Sequence, residues 1–357
     1  MWVKNCWYVA AWSYELEPGE LVSRTIINEP LAIYRASDGT LVVMEDRCCH
    51  RFAPLSKGRL EGDDLRCMYH GLKFDRTGRC IEIPGQDTIP RTARVRAYPA
   101  VERHSWIWVW MGDPAQADER LIPQAVGLDD PDWTLGSGQM DYDANYLLIN
   151  DNLTDFTHLT YVHANSFGAS PEFAYTRPNI EPLERGIRVW RWVFESASED
   201  SALAEKTGAA EVKGDGWQSY DFLAPGILLM HSATYPSGTA EKLGFRPAPM
   251  DSPGAMRETF TSQAVTPTSD KTSRYFFSWG PRAGEGAAEM AASLMQVAAI
   301  AFAEDKTMIE AQQKIIDLDP DRRETLTSAD VGPSRMRSVI RRLAEQDSER
   351  AVAEAVA

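Results

Sequence analysis

Two cysteine–histidine pairs in the first third of the chain have the side chains and the spacing of a metal site. Cys48 and His50 form a Cys-x-His pair, and Cys67 and His70 form a Cys-x-x-His pair. Thiolate and imidazole are the strong protein ligands for soft and borderline metals. Four such ligands can hold one zinc ion, or a [2Fe–2S] cluster in which two histidines replace two cysteines on one iron. The spacing alone leaves both sites open.

The residues that follow each pair favour the cluster. His50 is followed by Arg-Phe-Ala-Pro-Leu and His70 by Gly-Leu. The whole string, Cys-x-His-Arg…Ala-Pro-Leu…Cys-x-x-His-Gly, resembles the Rieske pattern. By that resemblance the cluster ligands are Cys48, His50, Cys67 and His70. The remaining cysteines, which are then ordinary thiols, are Cys6, Cys49 and Cys80.

A second group of candidate ligands follows the pattern Asn152-x-x-Asp155-x-x-His158-x4-His163. Asp155 and His158 are three residues apart and share one face of a helix. His158 and His163 are five residues apart, about 140° around a regular helix, so both reach one metal only where the helix is distorted or ends. Taken alone, two helical histidines are more often structural residues. Behind a Rieske motif, however, the pattern resembles the mononuclear iron site of Rieske oxygenases, a facial triad of two histidines and one carboxylate.

The third iron ligand must come from elsewhere, and an acidic pair, Glu304-Asp305, lies in a long helical stretch near the carboxy terminus. Adjacent helical residues point about 100° apart, so only one of the two faces the iron. The family resemblance implies an aspartate at this place, which selects Asp305. The alternative is a solvated acidic pair.

The sequence predicts that the secondary-structure elements that position these groups form a fold of the α+β class. The runs 31–35 and 41–46 flank Asp38-Gly39, a strong hairpin signal. A second turn is predicted at 75–78, and the run 106–110 reads as an aromatic strand. A polar stretch after Pro114 places a domain boundary between residues 118 and 119.

The second part of the chain is predicted to be mixed. Residues 145–163 open like a strand and continue as a helix, and several β-rich runs fall within 187–280. The stretch 285–317 has strong helix formers and lacks proline, which predicts one long helix. A final helix is expected at 333–347. The Ser/Glu/Ala/Lys-rich segment 196–216 is expected to be a mobile surface loop.

Composition narrows the class of protein. The 357 residues carry a formal charge of −15, whereas nucleic-acid binders present basic faces to phosphate, so no nucleic-acid partner is expected. Five separated cysteines do not resemble a disulfide framework. The amino terminus lacks a signal-peptide pattern, and the apolar run 291–306 is interrupted by charge too early to span a bilayer. A soluble cytoplasmic protein without a membrane partner is predicted.

The resemblance extends over nearly the whole chain and points to one subfamily of Rieske non-haem iron oxygenases. It is carried by four further strings, at 5–12, 84–86, 106–110 and 304–306. The subfamily contains the oxygenase components of vanillate O-demethylase, dicamba O-demethylase and toluenesulfonate methyl-monooxygenase. Cys48-Cys49-His50 and His70-Gly-Leu-Lys-Phe are most similar to the last of these. The resemblance implies an N-terminal all-β Rieske [2Fe-2S] domain (1–118), a C-terminal helix-grip catalytic domain with mononuclear iron (119–357), and a homotrimer.

The resemblance implies that the chain functions as the terminal oxygenase component of a monooxygenase. It would oxidise a methyl or methoxy group of a small aromatic compound, using a Rieske [2Fe–2S] cluster, Fe(II) and O2. Electrons would come from a separate NAD(P)H-dependent flavin/[2Fe–2S] reductase, since the chain has no G-x-G-x-x-G fingerprint. The alternatives are an N-demethylase or ring-hydroxylating oxygenase, a Rieske electron carrier without oxygenase activity, and a zinc-stabilised binding protein.

Three further residues receive expected roles. Asn152 and His231 are candidates for the substrate pocket, although a structural role is equally open for His231. In a head-to-tail trimer, Asp155 would connect His158 to His70 of the partner subunit and so lie on the route of the electron.

Overall fold

The computed structural model describes residues 1–164, 166, 171–194, 213–248 and 254–356. It divides into two units. An amino-terminal unit comprises Trp2–Ile122 with Thr266–Asp270, and a carboxy-terminal unit comprises Met1, Pro123–Val265 and Lys271–Ala357. The predicted boundary at 118/119 lies beside the observed division at 122/123.

The amino-terminal unit is built of small antiparallel sheets, so the expected all-β domain is confirmed. One sheet has the strand order β1-β10-β9, a second β2-β3-β4 and a third β5-β6-β7-β8. The strands are β1 (Cys6–Trp12), β2 (Leu21–Ile26), β3 (Glu29–Arg35), β4 (Leu41–Glu45), β5 (Arg59–Glu61), β6 (Asp64–Arg66), β7 (Lys73–Phe74), β8 (Cys80–Glu82), β9 (Ala100–Arg103) and β10 (Trp106–Met111).

Two predicted turns fall where the sequence places them. Asp38-Gly39 connects β3 to β4, with Gly39 at φ +85° and the Asp38 carboxylate accepting from the Thr40 amide. The second turn connects β7 to β8, with Gly78 at φ +77°. Positive φ is the conformation that glycine adopts without steric cost. These hairpins flank the two cysteine–histidine pairs.

The carboxy-terminal unit is a seven-stranded antiparallel sheet with helices, in the order β11-β17-β16-β15-β14-β13-β12. Its strands are β11 (Gly136–Tyr142), β12 (Asn179–Leu183), β13 (Gly186–Val193), β14 (Asp215–Leu223), β15 (Ile227–Tyr235), β16 (Arg257–Pro267) and β17 (Ser273–Pro281). Its helices are α1 (Tyr146–Thr154), α2 (Leu159–Val162), α3 (Thr239–Lys242), α4 (Ala287–Leu318) and α5 (Val331–Val356). α4 packs on β11 and β17, and α5 packs on α1 and β13.

The structure corrects one local prediction and refines others. Residues 146–154 are helical from the start rather than opening as a strand. Asn145 explains the difference, because its side chain accepts a hydrogen bond from the Leu147 amide and caps the helix. The last helix is longer than the predicted 333–347. Within the predicted loop 196–216, residues 196–212 lie outside the described part of the chain, and β14 begins at Asp215.

Helix α4 confirms the prediction of one long helix over 285–317. By length and composition it is the one described helix that could cross a bilayer. Its buried side, however, contributes Leu294, Ala298 and Ala301 to the core beside β17. It also carries Asp305, which is buried with them. These contacts are those of a core helix in a globular unit.

Candidate functional site

The first cysteine–histidine loop closes on itself through the backbone of Cys48. The Cys48 amide donates to the carbonyl of Ala53 at 2.9 Å, and the Phe52 amide donates to the carbonyl of Cys48 at 2.9 Å. Phe52 reaches this position with φ +58°. The loop holds the Cys48 thiol inside the unit and leaves His50 exposed.

The second loop repeats the same arrangement around Cys67. The Cys67 amide donates to the carbonyl of Leu72 at 2.8 Å, and the Gly71 amide donates to the carbonyl of Cys67 at 3.0 Å. Gly71 has φ +79°, and a β-carbon there would lie 2.7 Å from the Pro84 ring, so only glycine fits. His70, directly before it, is exposed.

The two loops bring a matched donor set together. The rings of His50 and His70 are 4.6 Å apart between centroids, and the buried thiols of Cys48 and Cys67 are hydrogen-bonded neighbours. Burial, with the neighbouring Cys67 thiol, raises the pKa of Cys48. Without metal the Cys48 thiol is therefore protonated, and iron must displace its proton on binding. Two thiolates and two imidazoles fit a Rieske cluster, with its histidine side at the surface.

A break in the helix assembles the second metal site. α1 ends at Thr154. The next residue, Asp155, is extended (φ −133°, ψ 103°), and the chain resumes as a 3-10 turn at Phe156–His158 before α2. This break removes the angular separation that a regular helix would impose on His158 and His163. Both imidazoles then face the same residue of α4, Asp305.

The donor atoms of His158, His163 and Asp305 lie within 4.8 Å of one another. Asp305 Oδ1 is 3.6 Å from His158 Nε2 and 3.4 Å from His163 Nε2. His163 and Asp305 are almost fully buried. Two imidazoles and one carboxylate on one side, with a cavity on the other, fit a facial triad for iron.

Each imidazole is oriented through its second nitrogen. His158 Nδ1 lies 2.7 Å from the carbonyl oxygen of Asp155. His163 Nδ1 lies 2.9 Å from Glu304 Oε2, which also accepts from Ser166 Oγ at 2.6 Å. A partner that accepts from Nδ1 fixes the tautomer in which Nε2 carries no proton and can bind metal.

The same surroundings move the two imidazole pKa values in opposite directions. Burial lowers the pKa of His158, against the attraction of Asp305. Burial would also lower the pKa of His163, but hydrogen bonds and charge from Asp305 and Glu304 outweigh it, and the pKa is raised. Of the two imidazoles, His163 is therefore the one at which a proton competes with iron.

Asn152 lines the cavity, as expected, whereas Asp155 contacts His158 in a different way from that expected. The Asn152 amide Nδ2 donates to Asp305 Oδ1 at 2.9 Å and lies 3.3 Å from His158 Nε2, so it borders the metal position directly. The Asp155 carboxylate caps the 3-10 turn, accepting from the amide and hydroxyl of Thr157 at 2.9 and 2.8 Å. Within one chain it is thus the carbonyl of Asp155, not its carboxylate, that holds His158.

The metal ligands open into a cavity of about 130 Å³, close to the roughly 150 Å³ of an engineered apolar cavity that binds benzene. A volume of this order suits a single aromatic ring. Helical residues form the wall next to the ligands, and the sheet forms the opposite wall. The lining includes Leu153, Phe156, Leu159, Trp217, Met230, Ala298 and Phe302.

His231 does not line this cavity, which corrects the sequence-based expectation. Side chains alternate along β15, so Met230 and Ser232 face the cavity while His231 points to the other side of the sheet. There its Nε2 lies 3.2 Å from Glu258 Oε1, and its ring contacts Trp133 at 6.2 Å between centroids. His231 is thus placed in a packing cluster.

Sequence reasoning missed a polar row on β16. Arg257, Thr259, Thr261 and Gln263 all line the cavity. They occupy alternate positions of Arg-Glu-Thr-Phe-Thr-Ser-Gln, a period-two signal that is visible in the sequence. Nothing in the sequence alone, however, shows which face of the sheet meets the iron.

Comparison with known proteins agrees with both centres. A family profile described as the Rieske [2Fe-2S] domain matches residues 6–99, and one described as the vanillate O-demethylase oxygenase C-terminal domain matches residues 142–346. The chain is 40% identical over 351 residues to the toluene-4-sulfonate monooxygenase system iron-sulfur subunit of Comamonas testosteroni, covering 98% of this chain and 99% of that one.

Solved structures give the same assignment. A crystal structure of dicamba monooxygenase bound to 3,6-dichlorosalicylic acid superposes with a TM-score of 0.85 at 30% identity, covering 97% of this chain and 98% of that one. Another, with non-heme iron and dicamba, gives 0.77 at 28% identity, again covering 97% and 98%. Both family profiles and the residues at both metal sites support this assignment. This chain therefore belongs to the family of Rieske-type monooxygenase oxygenase components, which carry a [2Fe–2S] cluster and a mononuclear non-haem iron.

Proposed function

We propose that this chain is the terminal oxygenase component of a monooxygenase that oxidises a methyl or methoxy group of a small aromatic compound. The observation that carries the proposal is the placement of His158, His163 and Asp305 at the wall of a cavity sized for one ring. A Rieske electron carrier has no need of such a triad. The relatives support the reaction class, since their names specify a monooxygenase and an O-demethylase.

When bound, the cluster supplies single electrons and the iron supplies the site at which O2 is used. The chain's own residues provide orientation and a dry surrounding. Leu153, Phe156 and Leu159 are buried beside the ligands and present apolar side chains to the cavity. Exclusion of water protects the reactive position from side reactions.

The proposal includes a separate NAD(P)H-dependent reductase carrying flavin and a [2Fe–2S] cluster, and a soluble, cytoplasmic location. It also includes a head-to-tail homotrimer in which Asp155 contacts His70 of the partner subunit. Two observations support that contact: His70 is exposed, and both hydrogen bonds that the Asp155 carboxylate accepts use Oδ1. Its Oδ2 accepts none from the described residues, which leaves this atom for a partner.

The test is turnover by the holoenzyme with a surrogate reductase, NADH and O2. The panel compares methoxybenzoates, methyl-arenes, arylsulfonates and N-methyl compounds, scored by formaldehyde release and by product mass. We expect a hydroxymethyl product from a methyl-arene or formaldehyde and a phenol from a methoxy-arene. The Asp305→Ala variant is the control and should give neither. Product from N-methyl compounds alone would assign the chain to N-demethylation instead.

A further inference from the structure

The polar row on β16 has two chemically different ends. The side chains of Arg257, Thr259, Thr261 and Gln263 lie on one face of the strand and all line the cavity. A strand rises about 3.3 Å per residue, so the backbone positions of Arg257 and Gln263 are separated by roughly 20 Å. The row is thus long enough to extend past a substrate ring.

Gln263 marks the end that lies near the iron ligands. Its Oε1 accepts a hydrogen bond from the Tyr275 hydroxyl. The Tyr275 ring in turn contacts Phe302 at 5.3 Å between centroids. Phe302 lies three residues before Asp305 on α4, on the same side of that helix.

Arg257 marks the opposite end. It pairs in register with Thr234 of β15, which pairs with Gly216 of β14, and Gly216 pairs with Val193 of β13. All four line the cavity. Helix α1, which carries Asn152, reaches the sheet at the other end of the row. There Asn150 Nδ2 donates to the carbonyl of Pro225 at 3.4 Å, beside Ile227, which pairs with Ala264.

Charge distinguishes the two ends further. Among the described lining residues, Arg257 is the only lysine or arginine, and the only carboxylate is Asp305 beside the iron position. Glu258, the next residue along β16, points to the other face, where it is held by Arg282 at 2.8 Å. A guanidinium is always charged, and its planar fork matches an oxyanion with two oxygens.

We propose that Arg257 is a specificity-determining residue that binds the oxyanion group, carboxylate or sulfonate, of an aromatic substrate at the end of the cavity opposite the iron. The group to be oxidised then lies across the ring from the anion, so para-substituted arenes fit and ortho-substituted ones do not. The inference rests on the proposed function for the fate of the substrate, but its binding is measurable without turnover.

The experiment is calorimetric titration of the holoenzyme with a matched pair of probes. Para-toluenesulfonate is anionic, and para-toluenesulfonamide is its neutral counterpart of nearly the same size. Arg257→Gln should weaken sulfonate binding about tenfold or more, as expected for loss of a charge-assisted pair, and leave sulfonamide binding unchanged. Arg257→Lys should fall between, because it keeps the charge and loses the fork. Para-toluate, run beside the sulfonate, shows which oxyanion is preferred.

Two controls make the outcome decisive. Arg188→Gln removes an arginine that pairs with Asp221 outside the cavity and should bind both probes as the wild type does. Ortho-toluenesulfonate should bind the wild type about tenfold or more weakly than the para isomer, since its anion cannot reach Arg257 when its methyl group is at the iron. This comparison needs no variant to fold.

Equal wild-type affinity for sulfonate and sulfonamide, no binding of any probe, or unchanged sulfonate binding in Arg257→Gln would each overturn the inference. Turnover separates it from the proposed function. Oxidation of neutral arenes without preference for anions refutes the role of Arg257 alone. Binding of the anion through Arg257 without any oxidation of methyl or methoxy groups refutes the proposed function alone.

Discussion

The carboxylates of two adjacent residues, Glu304 and Asp305, lie at the two nitrogens of one imidazole. Asp305 Oδ1 is 3.4 Å from His163 Nε2, and Glu304 Oε2 is 2.9 Å from His163 Nδ1. Adjacent helical side chains diverge by about 100°, which is enough for the ring to fit between them. Asp305 is therefore placed to bind iron together with His163, and Glu304 is placed to orient the ring.

This division predicts different losses in two neighbouring variants. Asp305→Ala should lose the mononuclear iron and turnover, because it removes a ligand. Glu304→Ala should still bind iron, about 10- to 100-fold more weakly, as is typical when the group orienting a ligand is removed. Both should keep the Rieske spectrum. Iron content and visible absorption provide the measurement, and an iron-free Glu304→Ala beside an active Asp305→Ala would reverse the assignment.

Loss of a cluster ligand should remove the cluster, and loss of an iron ligand should leave the cluster in place. Cys48→Ser and His70→Ala should each abolish the Rieske absorption and the electron paramagnetic resonance signal of the reduced protein, because an under-coordinated cluster is not retained. His158→Ala and His163→Ala should leave those signals intact. Cys49→Ser is the matched control, since Cys49 is the half-buried spacer of the same loop. An unchanged Rieske signal in Cys48→Ser or His70→Ala would disprove the ligand set.

Asp155→Asn tests the proposed route between subunits. Asparagine keeps the size and the capping ability of aspartate, so the turn at Thr157 and both metals should persist. Without the charge we expect slow electron transfer. The measurement is a single turnover in which the cluster is reduced, substrate and O2 are added, and reoxidation of the cluster is followed. Reoxidation at the wild-type rate would exclude the Asp155 carboxylate, and full activity in a monomer would exclude the inter-subunit route.

Iron affinity should depend on pH through His163. The pKa of this imidazole is raised above its usual value by Asp305 and Glu304, and only the neutral ring binds metal. As pH falls through that raised pKa, a proton competes with iron, and affinity should decline about tenfold per pH unit, beginning above the ordinary histidine pKa of about 6.5. Equilibrium dialysis against buffered Fe(II) measures this. Constant affinity down to about pH 6 would contradict it.

Local motifs were predictable from the sequence, whereas contacts across strands were not. The loops that hold the cluster ligands are formed by residues within a few positions of Cys48 and Cys67. The spacing of His158 and His163 is likewise visible in the sequence. The side of the sheet on which the His231 side chain lies depends on the position of β15 within a sheet of seven strands. The sequence therefore could not show that this side chain points away from the iron. Arg257 was missed for the same reason.

The helix capped by Asn145 shows a second, smaller limit of prediction from the sequence. The run Tyr146–Thr154 contains several residues that suit strands, and only the capping side chain indicates a helix start. The capping of the turn by the Asp155 carboxylate was likewise hidden, because aspartate three residues before a histidine also suits a helical ion pair. In both places a local hydrogen bond to the backbone decides the structure.

The central claim is that this chain uses O2 to oxidise a methyl or methoxy group of an aromatic compound. Its most direct test supplies the holoenzyme with a surrogate reductase, NADH, isotopically labelled O2 and para-toluenesulfonate or a para-methoxybenzoate. The account predicts a hydroxymethyl product that carries one labelled oxygen atom from the first substrate. From the second substrate it predicts formaldehyde together with a phenol whose oxygen is unlabelled, because the new oxygen atom leaves with the formaldehyde. Absence of label from the hydroxymethyl product, or absence of product from both substrates while both metal centres are fully occupied, would contradict it.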